Sequence, residues 1–511
     1  MGTGAAVAAS DALAAAAGAR LAAQGGNAVD AALAAVLVAM VCEPGICALA
    51  GGAFVTVAPA DGPSVTVDGN VEMPGRGKPA EAFGRGAFDV TTAYGGGLTT
   101  TIGHGSVATP GALAALGEAH RRYGRAPWRE VVAPVLEAVE EGFPLGGASA
   151  YYLGFVREPV FGWHPDSRRA LHHADGSPVV EGERLRIAHL ADSLHQVSEE
   201  GPGTLYTGGL AELVAADMAA HDGLLGAADL AAYEPAVSPT LDVRVGDWDV
   251  ATNPPPAIGG VSLAAMLALL DGRPRGDWTP QDRLRLAAVQ EAVLTHRVRH
   301  LDAAEDRTAA ALALLDLLPG GVEAVRGSGS TVHVSVVDAE GGACAVTASA
   351  GYGSGVMTPG TGLWLNNCLG EPELNRRGFH GWSPGQRLPS NMAPTVARHP
   401  DGSVLAIGSP GADRITTALT QAVAGFMGGL PLDTAIALPR LHVQPGPDGT
   451  VLHVERDLDL PEAAGLTARV RVHDPRSMFF GGVQAALRRG DGSLQAAADP
   501  RRDAAVAVVE P

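Results

Sequence analysis

"RGSGSTVHVSVVD", residues 326–338, joins a flexible Gly/Ser run to a strand pattern rich in valine. Glycine and serine favour turns and accept unusual backbone conformations. The alternating β-branched residues that follow are typical of a strand. The residue at the junction is Thr331. The sequence therefore predicts a backbone hinge directly before a strand that begins at a threonine.

A threonine hydroxyl becomes an effective nucleophile when the threonine is the first residue of a chain, because its own α-amine then acts as the base. The pKa of such an amine is about 7.7 to 8.0, which is close to neutral pH. This chemistry requires cleavage of the bond between Ser330 and Thr331. A Gly/Ser run tolerates the strained turn in which the hydroxyl attacks the preceding carbonyl. From these residues alone, an ordinary linker before a strand is the favoured alternative.

Helix and strand patterns alternate on both sides of this junction. Helix patterns, some with capping residues, cover residues 11–25, 27–41, 111–123, 128–141, 209–220 and 262–270. Strand patterns cover residues 51–59, 240–253, 332–337, 342–349 and 363–367. The sequence predicts one α/β body with a seam near residue 330.

The charge and hydropathy of the chain narrow the class of ligand. A net charge of −19 argues against nucleic acid, which needs a concentrated Lys/Arg surface, and favours small polar substrates. No apolar run reaches the roughly 18 residues of a spanning helix. The first residues lack a positive segment and carry Asp11, so the sequence predicts no signal peptide, no membrane association and a cytoplasmic location.

The cysteines and histidines give no metal or disulfide signal. The four cysteines in 511 residues form neither a CxxC pair nor a zinc spacing, so we expect buried or incidental thiols. His296 and His300 have the i, i+4 spacing of some zinc sites, but no third ligand is evident and a solvated helix end is the favoured interpretation. We expect no metal and no cofactor.

Two stretches around the junction, residues 330–349 and 353–367, resemble the start of the small subunit of the γ-glutamyltranspeptidase family, whose members are self-cleaving N-terminal-nucleophile hydrolases. Further family landmarks occur in the same order and cover nearly the whole chain. They include QGGNAVDAALAA (24–35), EPGICALAGGAFVTV (43–57), LPSNMAPTV (388–396) and GSPGADRITTAL (408–419).

The resemblance implies a fold and a division of the chain. The fold is α/β (α+β), a four-layer αββα sandwich. Cleavage at Ser330-Thr331 would leave a large subunit, 1–330, and a small subunit, 331–511, which together form one structural domain.

The resemblance also assigns catalytic roles. Thr331 matches the nucleophile, and Ser349 matches a Thr/Ser that hydrogen-bonds the nucleophile in relatives. Gly411 and Ala412 match the pair of glycines whose backbone amides stabilise the oxyanion, and alanine at the second position keeps the amide.

The substrate-binding pattern departs from the family. The arginine that grips the α-carboxylate of a γ-glutamyl group falls at Asn70, and Arg76 could substitute only if the loop is rerouted. Glu371 stands near the place of the aspartate that meets the α-amino group, where it is either a longer-reaching equivalent or a solvated loop carboxylate. The usual Ser-Ser-Met becomes Ser390-Asn391-Met392. In addition, the asparagine expected shortly after Ser349 is absent, and Tyr352 lies nearby.

The catalytic residues match the family pattern, whereas the substrate-binding residues depart from it. Together they predict an enzyme, a self-processing Thr-nucleophile hydrolase or acyltransferase. It would act on a small amino-acid-derived substrate through an acyl-enzyme, in specialised metabolism such as antibiotic biosynthesis. Three alternatives stay open: hydrolytic carbon–carbon cleavage next to a ketone, as in alkylproline biosynthesis; an ordinary γ-glutamyl transferase or glutathione hydrolase; and a non-catalytic binding shell. The expected partners are the small-molecule substrate and the two subunits of one precursor, with a dimer of these heterodimers as an open option.

Overall fold

The computed structural model of the protein describes residues 4–94, 97–270, 276–317, 331–411, 413–446, 449–460 and 469–511. Within these ranges the helices are α1 (Ala12–Ala23), α2 (Ala28–Cys42), α3 (Ala112–Tyr123), α4 (Trp128–Glu141), α5 (Gly147–Val156), α6 (Pro165–Leu171), α7 (Leu190–Glu200), α8 (Gly209–Ala220), α9 (Ala227–Ala231), α10 (Ile258–Leu269), α11 (Pro280–His296), α12 (Arg307–Leu317), α13 (Arg414–Met427) and α14 (Leu432–Ala437).

The strands in the same ranges are β1 (Ala5–Ala9), β2 (Gly52–Ala58), β3 (Val65–Gly69), β4 (Phe88–Thr92), β5 (Leu98–Ile102), β6 (Phe143–Pro144), β7 (Arg184–Leu185), β8 (Ala236–Pro239), β9 (Leu241–Val245), β10 (Trp248–Thr252), β11 (Val332–Asp338), β12 (Ala343–Ser349), β13 (Met357–Thr358), β14 (Leu363–Trp364), β15 (Thr395–Arg398), β16 (Val404–Gly408), β17 (Leu441–Gly446), β18 (Gly449–Glu455), β19 (Arg469–His473), β20 (Gln484–Arg488), β21 (Leu494–Ala498) and β22 (Ala505–Val509).

Two antiparallel sheets form the centre of the molecule. The larger has the strand order β22-β1-β11-β12-β2-β3-β8, and the smaller has the order β21-β20-β16-β15-β10-β9. Each sheet combines strands from before and after the predicted cleavage point. The strand that follows Thr331, β11, lies inside the larger sheet, between β1 and β12.

The side chains of β11 alternate between two cores, as a strand buried on both faces requires. Val332, Val334 and Val336 pack in one core with Leu33 and Leu37 of α2. On the other face, Val337 packs with Val396 and Ala406 of the smaller sheet.

The outer face of the smaller sheet is covered in turn by helices. Val250 and Leu405 pack against Leu263 of α10 and Ile415 of α13. The layers are therefore helix, sheet, sheet, helix, which confirms the predicted αββα sandwich.

Capping explains the first two helices. The Asp11 side chain accepts a hydrogen bond from the Ala14 amide at 2.7 Å, at the start of α1. Asn27 and Asp30 form a capping box at the start of α2. The remaining helices predicted from the sequence are also present, with ends shifted by up to four residues.

Two strand predictions need correction. The sequence indicated no strand in residues 5–9, yet β1 pairs with both β11 and β22, so a central place in the sheet overrides the low strand propensity of alanine. The pattern at 363–367 gives a strand only over Leu363–Trp364. After it, the Asn366 and Asn367 side chains hydrogen-bond neighbouring backbone and end the pairing.

All four cysteines are buried and unpaired, as predicted. Across the described ranges, no helix combines the length and apolar character needed to cross a bilayer.

Candidate active site

Thr331 is buried at the amino end of β11, beside a small cavity of about 20 Å³. This volume is about the room of one water molecule. The fold brings together six of the residues predicted from the sequence, which line the cavity in common: Asn70, Thr331, Ser349, Glu371, Ser390 and Asn391.

One side of the cavity, the strand wall, consists of Thr331 and Ser349. Val332 pairs with Ala348 across β11 and β12, so Thr331 and Ser349 are the next opposed positions. The Ser349 hydroxyl accepts a hydrogen bond from the Gly351 amide at 3.2 Å. Sheet pairing thus fixes the predicted nucleophile opposite the predicted assisting hydroxyl.

The histidine nearest to Thr331 in sequence is already fully hydrogen-bonded. His333 is two residues further along β11, and its ring nitrogens bond Thr347 Oγ1 and Ser335 Oγ, each at 2.8 Å. Burial lowers the pKa of His333 to about 3. A neutral, engaged imidazole is a poor candidate for the base that activates Thr331.

The opposite side, the loop wall, consists of Asn70, Glu371, Ser390 and Asn391. Asn70 follows β3, and its side-chain amide donates to the Leu388 carbonyl at 2.6 Å. The Ser390 carbonyl accepts from the first amides of α10, at 3.1 and 3.0 Å. Loops from both halves of the chain therefore build this wall.

Glu371 is buried, which excludes the solvated carboxylate that the sequence left open. Burial, together with the neighbouring Glu373, raises the pKa of Glu371 well above its ordinary value. In the described part of the chain its Oε2 has no hydrogen-bond partner. The loop wall thus presents a carboxyl group that ionises less readily than an exposed glutamate.

Asn391 is also buried with its amide unused. Among the described residues, neither its Oδ1 nor its Nδ2 has a hydrogen-bond partner. Buried polar atoms nearly always have one. Asn391 and Glu371 are therefore positioned to hydrogen-bond a bound substrate.

Two predicted binding residues lie away from this cavity. The Tyr352 hydroxyl hydrogen-bonds Glu373 and lines an adjoining pocket of about 310 Å³. Arg76 pairs with Glu72 at 2.9 Å and with Asp229 at 3.7 Å, so acidic groups already engage the arginine considered as a substitute clamp.

Sequence reasoning did not single out Arg387 or Glu373. Arg387 pairs with Glu72, lies 3.5 Å from Asp68, and covers the Tyr233 ring at 4.5 Å. The described residues that line the cavity include no Arg or Lys. The acidic pair in "GEPE", residues 370–373, was the available signal for Glu373.

Gly411 lies in the turn between β16 and α13 with φ +125°. A Cβ there would be 2.4 Å from the Gly481 Cα, so both the conformation and the space require glycine. Ala412 and Ser330 lie outside the described residues. Their predicted roles, like those of the other site residues, stay predictions.

The sequence model described as Gamma-glutamyltranspeptidase matches residues 14–311 and 289–509. These segments span almost the whole chain. The chain belongs to the gamma-glutamyltranspeptidase family. It is therefore an enzyme of the hydrolase and acyltransferase kind, as predicted.

Relatives within the gamma-glutamyltranspeptidase family are named for different activities. An Acylase ACY 1 proenzyme from a Pseudomonas species is 30% identical, covering 96% of this chain and 91% of that protein. A glutathione hydrolase proenzyme from Escherichia coli is also 30% identical, covering 97% and 90%. The crystal structure of cephalosporin acylase from Bacillus halodurans has the same fold, with a TM-score of 0.81 and 22% identity over 99% of this chain and 96% of that one.

Proposed function

We propose that this chain is a self-processing amidohydrolase or acyltransferase that uses Thr331 as nucleophile on a small amino-acid-derived substrate. One observation carries the proposal: a single cavity joins Thr331 and Ser349 on one wall to the unused hydrogen-bonding groups of Glu371 and Asn391 on the other. The unused groups are suited to bind a carbonyl compound next to the nucleophile.

Processing would begin within the chain. The Thr331 hydroxyl attacks the Ser330 carbonyl carbon, and the C–N bond between the two residues breaks as an ester forms on the threonine oxygen. Water then hydrolyses the ester, leaving a carboxylate on Ser330 and a free α-amine on Thr331. Separation of the new chain ends would also enlarge a cavity that has room for only about one water molecule.

The two products would be residues 1–330 and 331–511, held together after cleavage. In the larger sheet β11 pairs with β1 from the other piece, and β12 pairs with β2. In the smaller sheet β10 pairs with β15 across the same division. Each piece alone would expose unpaired strand edges, so both subunits would form one structural unit.

In the catalytic cycle, the Thr331 hydroxyl attacks the substrate carbonyl while its α-amine takes the hydroxyl proton. The Gly411 amide is our candidate to stabilise the oxyanion, with the next residue as its partner. The amine leaving group departs with that proton. Water hydrolyses the resulting ester, or an acceptor amine takes the acyl group.

The walls also indicate which acyl groups fit. The lining residues in the described chain carry no Arg or Lys, and burial raises the pKa of Glu371 well above its ordinary value, so this group ionises less readily. A carboxylate buried here would have no cationic partner, which is costly. We infer a substrate without a carboxylate at the usual γ-glutamyl position, and a setting in specialised metabolism rather than glutathione turnover.

A second candidate is hydrolytic carbon–carbon cleavage next to a ketone, and the raised pKa of the buried Glu371 favours it, because the group keeps its proton to a higher pH. Thr331 would attack the ketone carbonyl, and the adjacent C–C bond would break with its electron pair leaving on a stabilised carbon. Glu371 would supply a proton to that carbon and regain one from solvent. Water would release the acyl group as a carboxylic acid.

The experiment incubates processed enzyme separately with neutral acyl amides, γ-glutamyl amides and α-keto-acid-bearing amino acids, with products followed by mass spectrometry. Turnover of neutral amides, with γ-glutamyl amides about 100-fold poorer in kcat/KM, is the expected result. Release of a keto-acid fragment alone would replace the amidase with carbon–carbon cleavage. Efficient γ-glutamyl turnover would indicate an ordinary transferase or hydrolase of the family. No product from any substrate, despite a free Thr331 amine, would indicate a non-catalytic binding shell.

A further inference from the structure

A group of histidine and aspartate side chains lies at a junction of three elements. His104 follows β5, in the short 3-10 turn His104–Ser106. Asp217 lies in the last turn of α8, and His221 directly follows that helix. In the described chain these three residues are separate from the lining of the Thr331 cavity.

Their donor atoms converge. His104 Nε2 is 3.6 Å from Asp217 Oδ1, and His221 Nδ1 is 3.0 Å from the same oxygen. One donor atom from each residue lies within 4.8 Å of the other two. A tetrahedral zinc ion with ligand bonds of 2.0–2.1 Å separates its ligand atoms by about 3.3 Å. The cluster is therefore close to the dimensions that such an ion requires.

Hydrogen bonds inside the described protein leave the donor atoms of His104 and Asp217 unused. His104 is 5% exposed and Asp217 7% exposed, and neither His104 Nε2 nor either carboxylate oxygen of Asp217 has a hydrogen-bond partner there. The His221 nitrogen is instead 2.9 Å from the Asp217 backbone carbonyl. Buried polar atoms without partners are rare, and a cation would satisfy all of them together.

A further imidazole borders the group. His164 precedes α6, its ring centre is 6.1 Å from that of His104, and its Nδ1 is another buried atom without a partner among the described residues.

We propose that His104, Asp217 and His221 bind one zinc ion. Imidazole and carboxylate together suit Zn²⁺ among biological cations, whereas Ca²⁺ and Mg²⁺ prefer oxygen ligands alone. His221 is the exposed member, which gives the ion access from solvent and freedom for its ring to turn toward the ion. The site was not foreseen because its residues are spread over more than 100 positions of sequence.

The position of the ion implies a structural role. It would tie α8 to the turn after β5. The same β5 supplies Thr100 Oγ1 and the Thr101 carbonyl, which accept hydrogen bonds from Asn367. Metal binding would thus brace the strand that supports the loop bearing Glu371, and its main effect would be on stability rather than on the chemical step.

The test uses the full protein, stripped with EDTA and re-equilibrated with ZnCl2. Bound zinc is measured by inductively coupled plasma mass spectrometry and its affinity by calorimetry. We expect one zinc per chain, a higher melting temperature with zinc, and at least about tenfold weaker binding in Asp217→Asn and in His221→Gln. Because His221 is exposed, its variant keeps the test independent of folding defects.

The matched control is His195→Gln, which removes a surface histidine lying 2.9 Å from Glu140 and should bind zinc as the wild type does. Cobalt-substituted protein should show a visible absorption spectrum that His221→Gln changes. A wild-type chain that retains no zinc would overturn the site. So would Asp217→Asn and His221→Gln variants that hold zinc as tightly as the wild type.

Discussion

The two walls of the Thr331 cavity are built by different kinds of interaction. The strand wall, Thr331 and Ser349, takes its geometry from backbone pairing between β11 and β12. The loop wall is held by side chains that bond the backbone of distant loops, such as Asn70 to the Leu388 carbonyl. Loops change more readily than paired strands. The contrast shows how one fold can keep a reaction while it changes the substrate.

The walls also differ in what they leave for a ligand. Glu371 and Asn391, both on the loop wall, carry buried polar atoms without partners in the described chain. Binding groups that are unsatisfied before the substrate arrives lower the stability of the free protein. We expect substitutions in the strand wall to remove chemistry and substitutions in the loop wall to change affinity.

The largest effect should come from Thr331→Ala. Without the hydroxyl neither processing nor acyl transfer can occur, so the protein should stay one chain and activity should fall by at least about four orders of magnitude. Gel electrophoresis and N-terminal sequencing provide the measurement, with a wild-type small subunit beginning at Thr331. Thr331→Ser, which keeps a hydroxyl and an α-amine, should still process. A wild-type chain that is fully active while intact would contradict the mechanism.

Gly411→Ala should have the next largest effect. Its Cβ would meet the Gly481 backbone at 2.4 Å and displace the proposed oxyanion donor, which lowers kcat by about 100- to 1,000-fold. The matched control is Gly429→Ala, at φ +106° with no atom within 4 Å of the added Cβ. Melting temperatures should show similar backbone strain in both variants. Steady-state kinetics should show a loss of kcat in Gly411→Ala alone. Equal kcat in both would remove Gly411 from the oxyanion site.

Glu371→Gln tests the buried acid of the loop wall. The folded-state pKa of Glu371 is raised by burial, so above pH 4.5 the unfolded chain loses a proton that the folded chain keeps. Stability of the wild type therefore falls as pH rises, by up to about 1.4 kcal/mol per pH unit while that difference persists. Glutamine cannot ionise. The stability gain of the variant over wild type should grow as pH rises above about 4.5, until Glu371 ionises in the folded wild type, as measured by urea unfolding.

Glu43→Gln is the control for this titration, since burial raises the pKa of Glu43 to about 8 at a site outside the cavity. Both variants should gain stability over the wild type as pH rises, and the gain of Glu43→Gln should level off above about pH 8, where the folded wild type is also ionised. Only Glu371→Gln should alter kinetics. A fall in activity within about tenfold fits amide hydrolysis, whereas a fall of 100-fold or more fits a proton donor to carbon.

The sequence predicted the strand wall better than the loop wall, and the reason is physical. A strand pattern beginning at Thr331 and another ending at Ser349 are local signals, and pairing brings them together. The raised pKa of Glu371 depends on burial and on Glu373, which composition does not show. The sequence allowed Arg76 as a substitute for the carboxylate-binding arginine, yet in the fold Arg76 pairs with Glu72 and Asp229.

The same limit applies to the larger fold. Helix caps such as Asp11 and Asn27 can be predicted from the sequence because their effect is local. The strand over residues 5–9 could not be predicted, because this alanine-rich segment is a strand only through its pairing with β11 and β22. Patterns thus predicted six of the fourteen helices in the described ranges, and the family resemblance implied the layers. Long-range pairing decided the remainder.

The smallest effect should come from Asn391→Ala, which compares two buried asparagines near the cavity. Asn366 makes four hydrogen bonds, to the backbone of Ala50, Ala108 and Cys368. Its replacement by alanine should cost about 2–4 kcal/mol in unfolding free energy, because backbone groups lose their partners.

Asn391→Ala should behave in the opposite way, because its side-chain amide bonds no described residue of the free protein. Its unfolding free energy should change by less than about 0.5 kcal/mol, or rise, since an unsatisfied buried group is removed. If the amide binds substrate, KM should rise by about tenfold with kcat nearly unchanged, which is the signature of lost uniform binding. Urea unfolding and steady-state kinetics on both variants separate the two roles. A loss of stability as large as that of Asn366→Ala, with KM unaltered, would make Asn391 a structural residue and would leave Glu371 as the recognition group of the loop wall.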